Sequence, residues 1–359
     1  MKGRTVVVAM SGGVDSSVAA ALLKEEGYRV IGVGLRLFDG GGEGARTCCG
    51  IRDMDDARRV AYQLDIPFYL LDLREIFRRR VIDYFLHGYL SGETPNPCVA
   101  CNRWVKFQAL FKRCSAWGAD FLATGHYARL ARAAGGAGFH VLLRGRDERK
   151  DQSYFLYMLR NEQLPRILFP VGDLTKEETR SLAAELGLKV HDKRESQDVC
   201  FIGDGDYASF LMAWHGGELR PGPVLDRKGQ VIGSHRGLPL YTLGQRKGLK
   251  VDRPGPWYVA GMDRERNALI VSREPPRCRE GRLREVNFVS GKAPGGPLEV
   301  SVMMHYRGRE FRARVIPLSG GEARLEFMEP ADAAAAGQAA VFYQGERVVG
   351  GGKVVNAGP

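Results

Sequence analysis

Val6-Val7-Val8-Ala9-Met10 runs directly into Ser11-Gly12-Gly13-Val14-Asp15-Ser16-Ser17, and this junction decides the fold. The apolar run reads as a buried strand and residues 14–26 read as a helix, so the glycines occupy the turn between them. Adjacent glycines let the backbone approach an anion. Ser11, Ser16 and Ser17 offer hydroxyls, and the helix aims its positive N-terminus at the turn. These features predict a phosphate cradle of an unusual type, because neither the Gly-Lys-Ser/Thr ending of a Walker loop nor a G-x-G-x-x-G dinucleotide fingerprint is present.

Working outward, strand-like runs at 5–10, 30–37, 68–73 and 121–123 alternate with helical patterns at 14–26, 53–64, 75–90 and 105–117. That alternation predicts an α/β domain with a doubly wound parallel sheet. Ligands of such sheets bind beyond the carboxyl ends of the strands, where the glycine loop, Leu35 and Thr124-Gly125-His126 all fall. Helical patterns follow at 176–186 and 206–214, and 216–256 is punctuated by Gly and Pro between short β pieces. Beyond 284, period-two runs at 298–306, 311–317, 323–328, 339–343 and 346–349 predict a small antiparallel barrel or sandwich. The expected division is a catalytic domain at 1–205, a central domain at 206–283 and a C-terminal β-barrel at 284–359. The Ala-Gly runs at 131–138 and 331–340 read as loop and turn filler.

The chain of 359 residues carries 53 Lys and Arg against 42 Asp and Glu, a net charge of +11. Only 13 of the basic residues are lysine and 40 are arginine. The planar arginine fork binds two phosphate oxygens at once, so the excess favours a polyanionic partner such as a nucleic acid. No stretch approaches the ~20 apolar residues of a membrane span, and the first residues lack a signal-peptide core. The expectation is a cytoplasmic protein with no membrane partner. Seven cysteines, an odd number without disulfide-framework spacing, fit a reducing compartment.

Cysteine placement is the second informative feature. Thr94-Pro95-Asn96-Pro97-Cys98-Val99-Ala100-Cys101-Asn102 sets two thiols three apart after two prolines, in what reads as a stiff loop ahead of a helix near Trp104. Cys200 follows Glu195-Ser196-Gln197-Asp198-Val199 and precedes Phe201-Ile202, which reads as a loop-strand junction. C-x-x-C alone allows a redox pair, half a zinc site or cluster ligands. Zinc is disfavoured by the absence of a second C-x-x-C or a nearby histidine. A thioredoxin-like pair is disfavoured because the helix is expected to start several residues later. Two readings stay open: a sulfur-handling pair of Cys101 and Cys200, or a three-thiolate cluster that adds Cys98. Cys48, Cys49, Cys114 and Cys278 are expected to be structural, Cys114 as core on an amphipathic helix.

The loop Ser11–Ser17 resembles that of the PP-loop ATP pyrophosphatases. Further motifs are Asp56-Ala57-Arg58, Lys106-Phe107, Ala123-Thr124-Gly125-His126-Tyr127, Lys150-Asp151-Gln152-Ser153-Tyr154, His235-Arg236-Gly237-Leu238, Tyr241-Thr242-Leu243-Gly244-Gln245-Arg246 and Gly350-Gly351-Gly352. Together with the cysteine segments they resemble the bacterial tRNA-specific 2-thiouridylases almost end to end. That resemblance implies adenylation of the C2 carbonyl oxygen of the wobble uridine, U34, followed by displacement of AMP by sulfur. It implies an ATP set of Ala9, Met10, Ser11, Gly12, Gly13, Val14, Asp15 and Ser16 with Leu35 and Gly125. Asp15 suits either a Mg²⁺ ligand or a helix cap. Asn96, Pro97 and Cys98 would meet the flipped target base. His126, Lys150, Asp151, Gln152, His305, Tyr306 and Gln344 would contact tRNA, His305 standing where the family often has arginine. In one scheme Cys200 accepts sulfur from a donor, such as a cysteine desulfurase or relay protein, and Cys101 releases it through a disulfide. In the other, Cys98, Cys101 and Cys200 ligate a [4Fe-4S] cluster. The implied partner is the tRNA anticodon stem-loop.

Overall fold

The computed structural model describes residues 3–38, 51–132, 140–193, 199–202, 207–215 and 219–358. Cys48, Cys49, the Glu195-Ser196-Gln197 motif, the Ala-Gly run beyond Arg132 and the expected boundary at 205 lie outside the described residues.

Strands β1 (Thr5–Ala9), β2 (Arg29–Arg36), β3 (Phe68–Asp72) and β4 (Phe121–Thr124) precede a hairpin of β5 (Ala128–Arg132) and β6 (His140–Arg144), and β7 (Ile167–Leu168) follows. Apart from the hairpin these form one parallel sheet in the order β3-β2-β1-β4-β7, as the alternating pattern predicts. Successive side chains of a strand point to opposite faces, and β1 uses both. Val7 joins one hydrophobic cluster with Val33, whereas Val6 and Val8 join a second with Val30 and the helix Val14–Glu25, called α1. The central strand is therefore dry on both sides, with all three valines fully buried.

Two helices depart from expectation. The one expected at 105–117 begins instead at Pro97: Pro97–Ala100 leads into a π-helical run, Cys101–Leu110, and ends as Phe111–Ala116. The prolines mislead because Pro97 occupies the first helical turn, where its missing N–H costs nothing, and Asn96 caps the end by accepting from the Val99 amide at 3.1 Å. Both thiols thus lie in the first turns of a helix rather than in a loop before it. The helix expected at 75–90 likewise carries a π segment, Arg78–Ile82, between Arg74–Phe77 and Asp83–Leu90.

A four-stranded sheet follows, ordered β10-β11-β8-β9 from β8 (Gly222–Leu225), β9 (Val231–His235), β10 (Tyr258–Asp263) and β11 (Ala268–Ser272). The last part is a closed antiparallel barrel of β12 (Arg277–Phe288), β13 (Leu298–Met303), β14 (Glu310–Pro317), β15 (Ala323–Asp332), β16 (Ala339–Gln344) and β17 (Arg347–Asn356). Pairing of β12 with β17 closes it. The expected boundary at 284 falls inside β12. That strand escapes the period-two reading because its register shifts repeatedly and its buried positions sit among exposed charges.

Unexpectedly, the hairpin β5–β6 belongs to the barrel's sheet, with Leu143 and Leu142 opposite Arg347 and Val348 of β17. Further links tie the barrel to the first domain. Glu93 bonds Arg284 at 2.6 Å and Lys353 at 3.4 Å, Arg103 pairs with Glu285 at 2.9 Å, and the Tyr154 hydroxyl donates to the Ala339 carbonyl at 2.8 Å. Gly351 is required where β17 meets the Tyr157 ring, since a Cβ there would lie 2.6 Å from it. No helix among the described residues is long and apolar enough to cross a membrane.

Candidate active site

The glycine loop leaves β1 at the carboxyl edge of the sheet, and its hydroxyls are organised around the turn. Ser16 Oγ accepts from the Ser11 amide at 3.1 Å and lies 3.3 Å from Ser11 Oγ, and Ser17 Oγ donates to the Gly13 carbonyl at 2.9 Å. Gly12 is the residue on which the loop depends. Its φ of +73° is left-handed, and a Cβ there would sit 1.9 Å from the Asp53 carbonyl oxygen. Gly13, by contrast, has an ordinary φ of −92°, and a Cβ would meet only Ser11 Oγ at 3.5 Å. Gly125, after β4, presses on the first turn of α1, where a Cβ would lie 2.6 Å from the Ser16 nitrogen. The Ala9–Ser16 loop and Gly125 are therefore adjacent, and Met10 and Leu35 are buried.

Asp15 is neither a helix cap nor a free metal ligand here. The N-cap is Gly13 without a side-chain bond, and the Asp15 carboxylate receives Lys176 Nζ at 2.7 and 2.9 Å and the Tyr127 hydroxyl at 2.8 Å. A second lysine, missed in the sequence because it stands far from the loop, clasps the turn. Lys193 Nζ donates to the Gly12 carbonyl at 3.0 Å and to Asp53 and Asp56 at 2.6 Å each. Burial pulls the pKa of Lys193 down, but the bonds and charges of Asp53 and Asp56 outweigh it and raise the pKa overall. Asp53 and Asp56 reach the loop from the helix Ile51–Gln63, so the Asp56-Ala57-Arg58 motif supports the cradle from outside.

His126 is buried between Phe107 and Phe169, with Nδ1 2.7 Å from Thr124 Oγ1. Burial, reinforced by the Lys106 charge, pushes its pKa well below the ordinary histidine value. The ring is largely enclosed, with 8% of the residue exposed. Because the unfolded chain titrates near pH 6.5 and the folded ring lower, the stability of neutral His126 is complete above that pH and is lost as pH falls towards the folded value. The melting temperature of His126→Gln should accordingly fall less steeply than that of the parent between about pH 6.5 and about pH 5, as thermal unfolding across that range will read.

Cys98 is exposed, Cys101 is buried and Cys200 is half-buried. Cys200 lies in a turn rather than at a strand, closed by the Ile202 amide on the Val199 carbonyl at 2.9 Å. Phe201 anchors this turn against Phe77, Phe85 and Phe210. Cys101, Phe201 and Leu35 belong to one hydrophobic cluster, against which Cys200 and Ala9 pack. The ends of the nucleotide strands, the thiol helix and the Cys200 turn thus share a core. Among the described residues no three His, Cys, Asp or Glu side chains are grouped to hold a metal ion. Cys114 and Cys278 are inert core thiols, burial raising their pKa values to about 12 and about 11.

The remaining expected contacts divide. Asp151 is buried and structural: its carboxylate accepts from the Gly145 and Ser153 amides at 3.0 Å and from Ser153 Oγ at 2.9 Å. Gln152 accepts from the Tyr127 amide at 3.0 Å, and Lys150 is half-exposed beside them. On the barrel, Tyr306 stacks 4.4 Å from Phe155. Burial raises its hydroxyl pKa, Arg307 lowers it, and the charges of Asp151 and Cys98 raise it further. His305 Nδ1 lies 2.8 Å from Gln338 Oε1, and Gln344 is exposed at the end of β16.

Three family models match in chain order: the tRNA methyl transferase HUP domain at 4–204, the tRNA methyl transferase PRC-barrel domain at 209–273 and the aminomethyltransferase beta-barrel domain at 279–354. The chain is 51% identical over 352 residues to the tRNA-specific 2-thiouridylase MnmA of Moorella thermoacetica, covering 97% of this chain and 98% of that protein. It is 46% identical over 363 residues to the protein of the same name from Geotalea uraniireducens, covering 99% and 96% respectively.

Proposed function

The chain belongs to the tRNA-specific 2-thiouridylase family, and on that premise we propose that it replaces the C2 oxygen of the tRNA wobble uridine by sulfur at the expense of ATP. The observation that carries this reading is the shared core of the nucleotide strand ends, the Cys101 helix and the Cys200 turn. A small-carbonyl ligase built on the same loop has no use for those thiols.

The loop amides and hydroxyls from Ser11 to Ser16 hold the β- and γ-phosphates of ATP, and the backbone near Leu35 reads adenine. Mg²⁺ accompanies ATP and offsets the charge of its phosphates. Asp15, through Lys176 and Tyr127, holds the helix end in place. The uridine C2 oxygen attacks the α-phosphorus and pyrophosphate leaves, which turns a poor amide-like electrophile into one bearing an AMP leaving group. Cys200 carries a terminal sulfur delivered by a persulfide donor. That sulfur attacks C2, AMP departs, and Cys101 attacks the inner sulfur of Cys200 to leave a Cys101–Cys200 disulfide. A dithiol reductant then restores both thiols. Cys98, with Asn96 and Pro97, lines the approach of the base. The central domain and the barrel grip the anticodon stem-loop.

The test is an assay with unmodified tRNA, ATP, a persulfide donor and a dithiol reductant. It should yield one AMP and one pyrophosphate per 2-thiouridine formed. Pyrophosphate release that tRNA does not stimulate, with no thiolated product, would sink the reading.

A further inference from the structure

A cavity of about 270 Å³ opens where the thiol helix, the helix Asp83–Leu90 and the barrel meet. It lies on a face of the thiol helix that carries Asn96, Val99, Arg103 and Trp104, beside the thiols without including them. Its wall holds four cations, Arg79, Arg80, Arg103 and Lys353, against one carboxylate, Glu285. Three of the cations have acidic partners: Arg79 bonds Glu75 at 2.8 Å, Arg103 bonds Glu285 at 2.9 Å, and Lys353 lies 3.4 Å from Glu93. Arg80 has no carboxylate partner among the described residues. Its guanidinium lies 4.7 Å from the centre of the Trp104 ring, and that of Arg103 lies 4.4 Å from the same ring. A guanidinium stacked on an indole keeps its N–H edge free for phosphate oxygens. Tyr84 and Tyr157 add aromatic wall.

A cationic edge beside aromatic faces, in a space about the size of one nucleotide, matches the way proteins hold unpaired nucleic acid: phosphate on arginine, base on ring. We propose that this cavity receives a phosphodiester-linked nucleotide flanking the target uridine in the single-stranded loop of the tRNA, with Arg80 on the phosphate and Trp104 fixing Arg80. The proposal rests on the function given above. Because Lys353 and Glu285 come from the barrel, the nucleotide would bridge the two domains and keep the loop open while the target base is turned towards the thiols.

Arg80 is exposed, so Arg80→Gln should fold. tRNA affinity is measured from about 50 to about 200 mM KCl for the parent, Arg80→Gln, Arg80→Lys and Arg113→Gln, an exposed arginine outside the cavity. Arg80→Gln should weaken binding roughly three- to tenfold and flatten the salt dependence by about 0.7 per lost single-strand contact. Arg80→Lys should recover the slope and only part of the affinity, because an ammonium cannot reproduce the stacked fork. An unchanged slope in Arg80→Gln, or an equal loss in Arg113→Gln, overturns the proposal. AMP is titrated in parallel: AMP binding that needs Arg80 while tRNA binding does not would make this a free-nucleotide site and likewise overturn it. A parent chain without affinity for tRNA would overturn the function itself, and that outcome is read separately from the variants.

Discussion

Cys101→Ser and Cys200→Ser are each expected to lower 2-thiouridine formation by about a thousandfold or more, with tRNA affinity and the initial pyrophosphate burst retained, and the double variant should be no worse than either single one. The non-additivity follows from the chemistry. A thiol that carries sulfur and a thiol that releases it act on one bond, so removing either removes the whole route. The environments make the two substitutions informative. Cys101 is buried and Cys200 half-buried, and serine keeps nearly the same volume at each, so a loss of product without a loss of melting temperature isolates the chemistry. Cys114→Ser is the comparison. Its thiol is held protonated by burial and takes no part in transfer, so that variant should keep its activity at a small cost in stability. Product formation by Cys200→Ser at the parental rate would remove the persulfide from the mechanism.

Gly12→Ala is expected to reduce pyrophosphate release roughly a hundredfold and to destabilise the fold by about 1–2 kcal/mol from the left-handed φ alone, whereas Gly13→Ala should stay within a few-fold of the parent. The two glycines are adjacent in sequence and opposite in consequence. At Gly12 an added methyl meets the Asp53 carbonyl at 1.9 Å, and the displaced peptide takes with it the carbonyl that Lys193 holds at 3.0 Å. At Gly13 the same methyl finds ordinary van der Waals space. Pyrophosphate release and thermal unfolding on the two variants decide the matter. Equal tolerance would mean that the loop adopts another shape when nucleotide binds.

The strand-loop-helix junction and the parallel sheet were legible because their signals are local: a valine run, two glycines and a helical period within a few residues. Barrel strands from Leu298 onward were legible for the same reason, each alternating on its own. What stayed hidden is whatever distant segments complete. Lys193 gives no sign in sequence that it reaches Gly12, and Asp15 reads as a cap or metal ligand until Lys176 arrives from another helix. His126 and Asp151 sit in polar-looking motifs yet are buried and bonded within the protein. The start of the thiol helix was hidden by a local rule with two meanings, since proline both breaks helices and opens them.

The hairpin β5–β6 has a consequence for how the protein is made. A ribosome releases the chain from its N-terminus, yet Arg129 finds Glu346 only 217 positions later, and the outer edge of β6 is covered only when β17 emerges. Until then the first domain carries an unpaired strand edge, the kind of surface that invites pairing with other chains. Contacts of such sequence separation also slow folding. Shortened chains that end before Arg347 should therefore fail by aggregation even when the nucleotide loop and both thiols are intact, and the barrel cannot be treated as an appendage to be removed.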